Sequence, residues 1–526
     1  MQKKSKAAEL GHLLVVKEAR RKMEILFQQI AVLSLNCRGR FPEPPFLADF
    51  LAKVRTQNVT SDSYAAQLFT RGGSDETKRG WLVRNALPSN IISFLCSKIP
   101  RLDKDILCLG DVEIFRQHIE DIASAGYVKR EHSEAAEDYY RNNRPRLQKW
   151  IRSYYSVAQQ APSDLDDFPL VVGENYLVGK EPLFLDPAQE TQLLVYSDDF
   201  FDDNLFPNVA ADQLYFFGHS YREFRSAYRE KLSGKKPGTF NGYSYRLMKV
   251  EPTDKFPRLH FARSRYFSYI NTCEVRAFEA AYFKEILHEQ NPLNMCHSER
   301  CLFRRDPKSI FSLTNRNAIA GVNTFTIVVD QKTDLAFYLR HVRSEHEVGE
   351  AILTTHVVPA GTFQPLIPKD VVSNKEQALA SGAWTRDFSL IQNIVREFLE
   401  ECLDLEDEIK DANQHGNWRE KEVIKRPYHA LYDALLRQKQ AKAWFLGIGF
   451  DRLTEKPELL TALVIDVSLA QKLKWNTEGY GEPILLTEDV LRTIIERGTD
   501  QWLSAGMACV QLVNKHFRRL RHCLSD

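Results

Sequence analysis

The chain has 526 residues, with 71 Lys and Arg against 70 Asp and Glu and a formal net charge of +1. Charge this balanced excludes a protein that binds polyanions or a membrane surface through its overall field. No apolar run approaches the roughly 20 residues of a bilayer span, and the length predicts several domains. The nine cysteines are scattered and odd in number, which favours reduced thiols over a disulfide framework and points to the cytoplasm.

Residues 6–35 read as a long amphipathic helix in which Leu26, Ile30 and Leu33 form the apolar stripe. Leu13–Val16 is too short for the core of a signal peptide. Gly39, Pro42, Pro44 and Pro45 break the helix. Helical patterns then dominate as far as Tyr155, so residues 1–160 are expected to form a helical N-terminal region. Within it, Asp111–Ala125, Gly126 and Tyr127–Arg130 have the order of a recognition helix and wing. No basic stripe accompanies them, so an ordinary helix-to-strand turn is the preferred reading and nucleic acid is not an expected partner.

Residues 156–168, with Pro162, Asp164, Asp166 and Asp167, read as a linker. Residues 169–312 are expected to form a mixed α/β middle domain. Strands are predicted at Leu170–Val172, Leu193–Tyr196, Tyr243–Val250 and Leu259–Phe261, and helices at Tyr215–Leu232 and Arg265–Leu287. The dense aromatics here suit packing better than base stacking, because no basic residues interleave with them. Cys273, Cys296, His297 and Cys301 carry zinc-type ligand atoms. Their spacing does not match paired knuckles, and buried thiols with a surface histidine are the preferred reading.

Asn323–Val329 is β-branched, as strands prefer, and Asp330–Asp334 supplies a turn into a return strand, Ala336–Arg343. His356-Val357-Val358-Pro359-Ala360-Gly361 reads as a strand running into a Pro/Gly break. A helix is expected over Phe388–Leu403. On it Ile391, Val395, Phe398 and Cys402 share one face, and Glu397, Glu400, Glu401 and Asp404 share another. Four acids on one face form either a solvated surface or an oxygen-ligand site for Mg²⁺ or Mn²⁺. A polar linker over residues 407–422, a helix at Arg426–Lys442, strands at Ala443–Phe450 and Leu460–Val467, and helices at Thr487–Arg497 and Gln501–Arg521 complete the chain. The expected class is α+β and multidomain.

Arg396-Glu397-Phe398-Leu399-Glu400-Glu401, together with the preceding Val357-Val358-Pro359-Ala360-Gly361, resembles the box of the Nudix family. The resemblance covers roughly residues 315–505 and extends to a group of large bacterial Nudix-related proteins, some of them labelled transcriptional regulators. It implies that residues 315–526 form a Nudix-like α/β/α sandwich with closing C-terminal helices. It also implies that Glu397, Glu400 and Glu401 hold Mg²⁺ or Mn²⁺ and that Arg396 orients a glutamate. Arg340, His341, Arg343, His356 and Gly361 would face a nucleotide or nucleotide-derived ligand. The chain departs from the pattern in two places: the upstream Glu falls on Phe388, beside Asp387, and the Gly after the paired glutamates is Leu403. Gly382 has the spacing of the first box Gly, but Gly361 is taken as its counterpart, with residues 362–386 inserted. The function implied is metal-dependent hydrolysis of a nucleoside-diphosphate-linked substrate. The alternative is a catalytically altered nucleotide sensor that acts as a regulator, and the oligomeric state is left open.

Overall fold

The computed structural model describes residues 135–201, 242–298, 304–342, 354–473 and 483–525, apart from scattered positions within those spans. All of them belong to one compact unit, residues 134–205 with 238–526. The helix expected at 6–35, the recognition-helix order at 111–130 and the helix expected at 215–232 lie outside the described residues.

The centre is a mixed sheet built on two ten-residue strands, β5 (Gly321–Asp330) and β11 (Pro457–Asp466), paired in parallel with Thr324 beside Thr461. Almost every residue of both strands is buried, which is what β-branched and aliphatic runs covered on both faces produce. The strand order is β1-β10-β11-β5-β6-β12, where β1 is Leu183–Leu185, β10 Ala441–Phe450, β6 Leu335–Tyr338 and β12 Ile484–Leu485. The expected hairpin is present, with Asp330 opposite Leu335 across the turn. The return strand is broken, however. After Tyr338 the chain leaves β5, and β7 (Arg340–Val342) pairs instead with β8 (Thr355–Val357), setting His341 opposite His356. Beyond the cis Val358–Pro359 peptide, β9 (Ala360–Thr362) returns to β5 and pairs Gly361 with Val322.

Strand alternation sorts the two faces. Phe325, Ile327 and Val329 of β5 and Leu460, Ala462 and Val464 of β11 form one core with Met507, Val510 and Val513 of the long C-terminal helix, Ser504–His522. The opposite face carries Leu390–Cys402, the helix with the acidic residues, and Glu422–Arg437 packs beside it and against β10. A smaller sheet orders β2 (Leu194–Phe200), β4 (Arg258–Arg265) and β3 (Tyr243–Glu251). The helical stretch after β4 is α only at its start and over Val275–Ala281, which π-helical turns flank on both sides. The whole is α+β. No helix among the described residues is long and apolar enough to cross a membrane. In chain order, the helices used below are α1 (Arg144–Ile151), α2 (Pro187–Leu193), α3 (Val275–Ala281), α4 (Leu390–Cys402), α5 (Glu422–Arg437) and α6 (Ser504–His522).

Several expectations need correction. Residues 156–168 are irregular but are not a loose linker: Leu165 and Phe168 are buried in the core beneath α6. Leu170–Val172 makes only an isolated bridge, Val171 to Phe450, rather than a strand. The polar stretch after α4 contains a helix, Glu406–Ala412, because Ile409 and Ala412 give it an apolar side to bury. Asp404 is not on the acidic helix face. It lies beyond the helix end with φ 57°, where Leu405 turns back to donate its amide to the Leu399 carbonyl.

Glu455 sits in the turn between β10 and β11 and is fully buried. It accepts from Arg316 at 2.8 Å, Arg276 at 3.0 Å, Arg304 at 3.5 Å and the Tyr155 hydroxyl at 2.8 Å. Burial alone would raise its pKa, but the three guanidinium groups outweigh burial and hold it down to about 2.

Candidate functional site

The helix that bears the acidic face starts cleanly. The Ser389 hydroxyl accepts the Gln392 amide at 3.1 Å and donates to Glu190 Oε2 at 2.8 Å. Glu190 also takes the Ile391 amide on Oε1 at 2.8 Å. A carboxylate is well placed there, since the first amides of a helix have no partner within it. Phe388, where the box pattern has a glutamate, packs against Tyr196, Tyr245, Phe261 and Phe363. Neighbouring Asp387 is held by Arg386 at 2.8 Å and Arg419 at 2.9 Å. Neither residue replaces the missing glutamate.

On α4, Arg396 is buried, pairs with Glu397 and lies 3.6 Å from Glu400. It also donates to the Gln364 carbonyl at 2.9 Å. Glu401 accepts the Ala360 amide at 2.9 Å. Glu397 lies so close to β9 that a Cβ on residue 361 would stand 2.2 to 2.6 Å from its carboxyl atoms, so only glycine lets strand and carboxylate meet. Burial first, and the charge of Glu397 second, push the Glu400 carboxyl up to about 8 against the pull of Arg396.

Beyond β9, towards the α6 face of the sheet, lies a pocket of about 180 Å³. Ala360, Gly361 and Thr362 form its rim, and His356 and the start of α6 at Ser504 form one wall. Asn323 and Glu458 project from the two central strands on that face and meet at 2.8 Å, with the amide donating. Glu458 comes close to β5 because residue 321 is glycine: a Cβ there would stand 2.0 Å from Glu458 Oε2. Burial raises the Glu458 carboxyl, opposed by Lys456 and the Asn323 amide. The charged turn adds Asp451, Thr454 and Lys456, and Arg144 from α1 and Tyr269 complete the lining.

Of the residues anticipated from sequence, His356 and Gly361 line the pocket, and Glu397 and Glu401 reach the strand that forms its rim. Arg340 is exposed and His341 half-buried on the separate β7–β8 pair, and neither lines the pocket. Arg343 lies outside the described residues. Cys273 is buried with its thiol 3.5 Å from the Asn317 carbonyl, Cys296 is half-buried, and Cys301 is outside the described residues. Among the described residues no group of three or more His, Cys, Asp or Glu side chains is arranged to hold a metal ion. Two carboxylates with water and substrate oxygens suffice for Mg²⁺. Glu397 and Glu400 meet that smaller requirement by position, since both carboxylates flank the Arg396 guanidinium on one helix face.

Sequence reasoning missed Arg144, Tyr269, Asn323, Asp451, Lys456 and Glu458. One signal was present for three of them: Asp451-Arg452-Leu453-Thr454-Glu455-Lys456-Pro457-Glu458 is unusually charged for a turn between two apolar strands. The chain matches no protein-family model and no curated protein.

Proposed function

We propose that residues 315–526 form a Nudix-like domain that hydrolyses a nucleoside-diphosphate-linked substrate. One observation carries the reading: the acidic face of α4 and the pocket meet at the same three-residue strand, with Glu401 bonded to the Ala360 amide and Glu397 seated on Gly361. The strand pair, strand-loop-helix and closing helix on opposite faces of one sheet also accord with the resemblance. Mg²⁺ or Mn²⁺ held by Glu397 and Glu400, with Glu401 beside them, would neutralise diphosphate charge. Arg396 keeps Glu397 oriented, and the β9 backbone fixes Glu401 relative to the pocket rim. The free thiols of Cys273, Cys402 and Cys509, all buried, accord with a reducing compartment, the cytoplasm.

A second reading has its own support. Phe388 and Asp387 are both committed to packing and ion pairs, so the upstream carboxylate of the box is lost. The domain would then bind a nucleotide and act as a regulatory sensor without cleaving it. The two readings separate on one experiment. Nucleoside triphosphates, dinucleotides and nucleotide sugars are incubated with the full chain in Mg²⁺ and in Mn²⁺, beside Glu400→Gln. Hydrolysis that falls at least about a hundredfold in the variant supports the enzyme. Binding without turnover in the wild type supports the sensor. Turnover unchanged in Glu400→Gln refutes the assignment of the acidic face.

A further inference from the structure

The pocket is not built by the C-terminal half alone. Arg144 comes from α1, far outside the stretch that carries the resemblance, and Lys456 approaches from the β10–β11 turn. Each cation stands beside a carboxylate that has nearer donors, and Arg144 also donates to the Tyr140 hydroxyl and lies over its ring. Asp451 takes the Gln148 amide at 2.7 Å, the Thr454 and Leu453 amides at 2.9 and 3.0 Å, and the Thr454 hydroxyl at 3.1 Å. Arg144 stands farther from Asp451, at 3.4 Å. Glu458 likewise takes the Asn323 amide at 2.8 Å, with Lys456 at 3.6 Å. Each carboxylate keeps its closer donors if its cation turns to something else.

Volume narrows what that something is. The space measures about 180 Å³. It falls short of the roughly 300 Å³ at which pockets that swallow a whole drug-sized ligand begin. One compact group with its waters fits inside. Arg144 and Lys456 both line this space, and two cations suit a group that carries nearly two negative charges and several acceptor oxygens.

We propose that Arg144 and Lys456 grip one phosphoryl group, so that α1 completes the binding site and selects ligands that end in phosphate. The inference rests on the nucleotide reading above and deepens it by naming the group recognised here and the residues that recognise it. The test is calorimetry on the full chain in metal-stripped buffer. ADP, inorganic pyrophosphate and succinate serve as probes, with Arg144→Gln, Lys456→Met and Arg144→Lys as variants. Wild type binding ADP or pyrophosphate, with at least tenfold weaker binding in each neutral variant and partial retention in Arg144→Lys, is the expected result. ADP and pyrophosphate behaving alike assigns recognition to the phosphoryl group itself, and ADP alone binding assigns it to the nucleotide's phosphate. Wild-type affinity in both neutral variants overturns the proposal, as does a wild type that binds only succinate or none of the probes. Should Arg144→Gln fail to fold, Lys456→Met, at a half-buried position of the same grip, decides. Turnover with an unchanged KM in Arg144→Gln sinks this inference and leaves the hydrolase standing. Arg144-dependent binding without turnover does the reverse.

Discussion

Replacing Glu455 by Gln should be among the most damaging single changes in the described part of the chain. The side chain is fully buried among Arg276, Arg304 and Arg316, and its pKa falls from 4.5 to about 2. At 1.36 kcal/mol per tenfold, that fall is worth about 3 kcal/mol of stability at neutral pH. An independent figure agrees: removing one partner of a buried ion pair costs about 3–5 kcal/mol, because the remaining charges stay buried and uncompensated. Glutamine keeps the shape and the contact with Tyr155 but not the charge. Because the folded-state pKa is depressed, the stabilisation is present above about pH 4.5 and is lost as pH falls towards 2. Urea unfolding, which does not screen charge as a guanidinium salt would, measures the difference between wild type and variant. The expected result is a gap of about 3–5 kcal/mol at pH 7 that narrows below pH 4.5. Equal urea midpoints at pH 7, or a gap that stays constant down to pH 3, would refute the reasoning.

Two further outcomes follow from the acidic helix. Gly361→Ala places a methyl group 2.2 Å from a Glu397 carboxyl oxygen. It should cut any metal-dependent turnover at least tenfold while the melting temperature moves little, since a flexible carboxylate can swing away; a fall in melting temperature with turnover intact would contradict this. Ser389→Ala removes the cap on the Gln392 amide and a donor to buried Glu190, and should cost about 1–2 kcal/mol in urea unfolding, with a cost near zero as the contrary result.

The central elements were legible because their residues obey simple periodicities. β5 is a β-branched run, α4 carries Ile391, Val395, Phe398 and Cys402 at helical spacing, and both are found where expected. The hairpin was legible too, but not the break after Tyr338, which depends on β8 offering a partner from a distant part of the chain. The helix at Glu406–Ala412 was hidden by its charge, since only Ile409 and Ala412 mark the buried side. The site was half legible. Gly361 and the glutamates are local in sequence and carry a pattern. Arg144 and Glu458 carry none, because their meaning arises only when α1 and β11 are brought to the same pocket. No periodicity encodes a contact between segments so far apart.

The edge of the central sheet has a consequence for how this chain folds. β10 is completed on its outer side by β1, whose Leu183–Leu185 pair with residues 443–445. Tyr155 and Gln148 reach partners 300 and 303 positions later. Closing loops of that length must precede the reward of the contacts, and chains rich in such pairings fold slowly. During synthesis, β1 and α1 emerge long before the strand and turn they complete, so they have to wait. A fragment starting near residue 315 would leave the β10 edge open to pair with another chain, a known route to aggregation. It would also confront Glu455 with Arg316 alone of its three arginines. Residues 315–526 therefore depend on the segments before them to fold, and work on this protein calls for at least residues 134–526 in one piece.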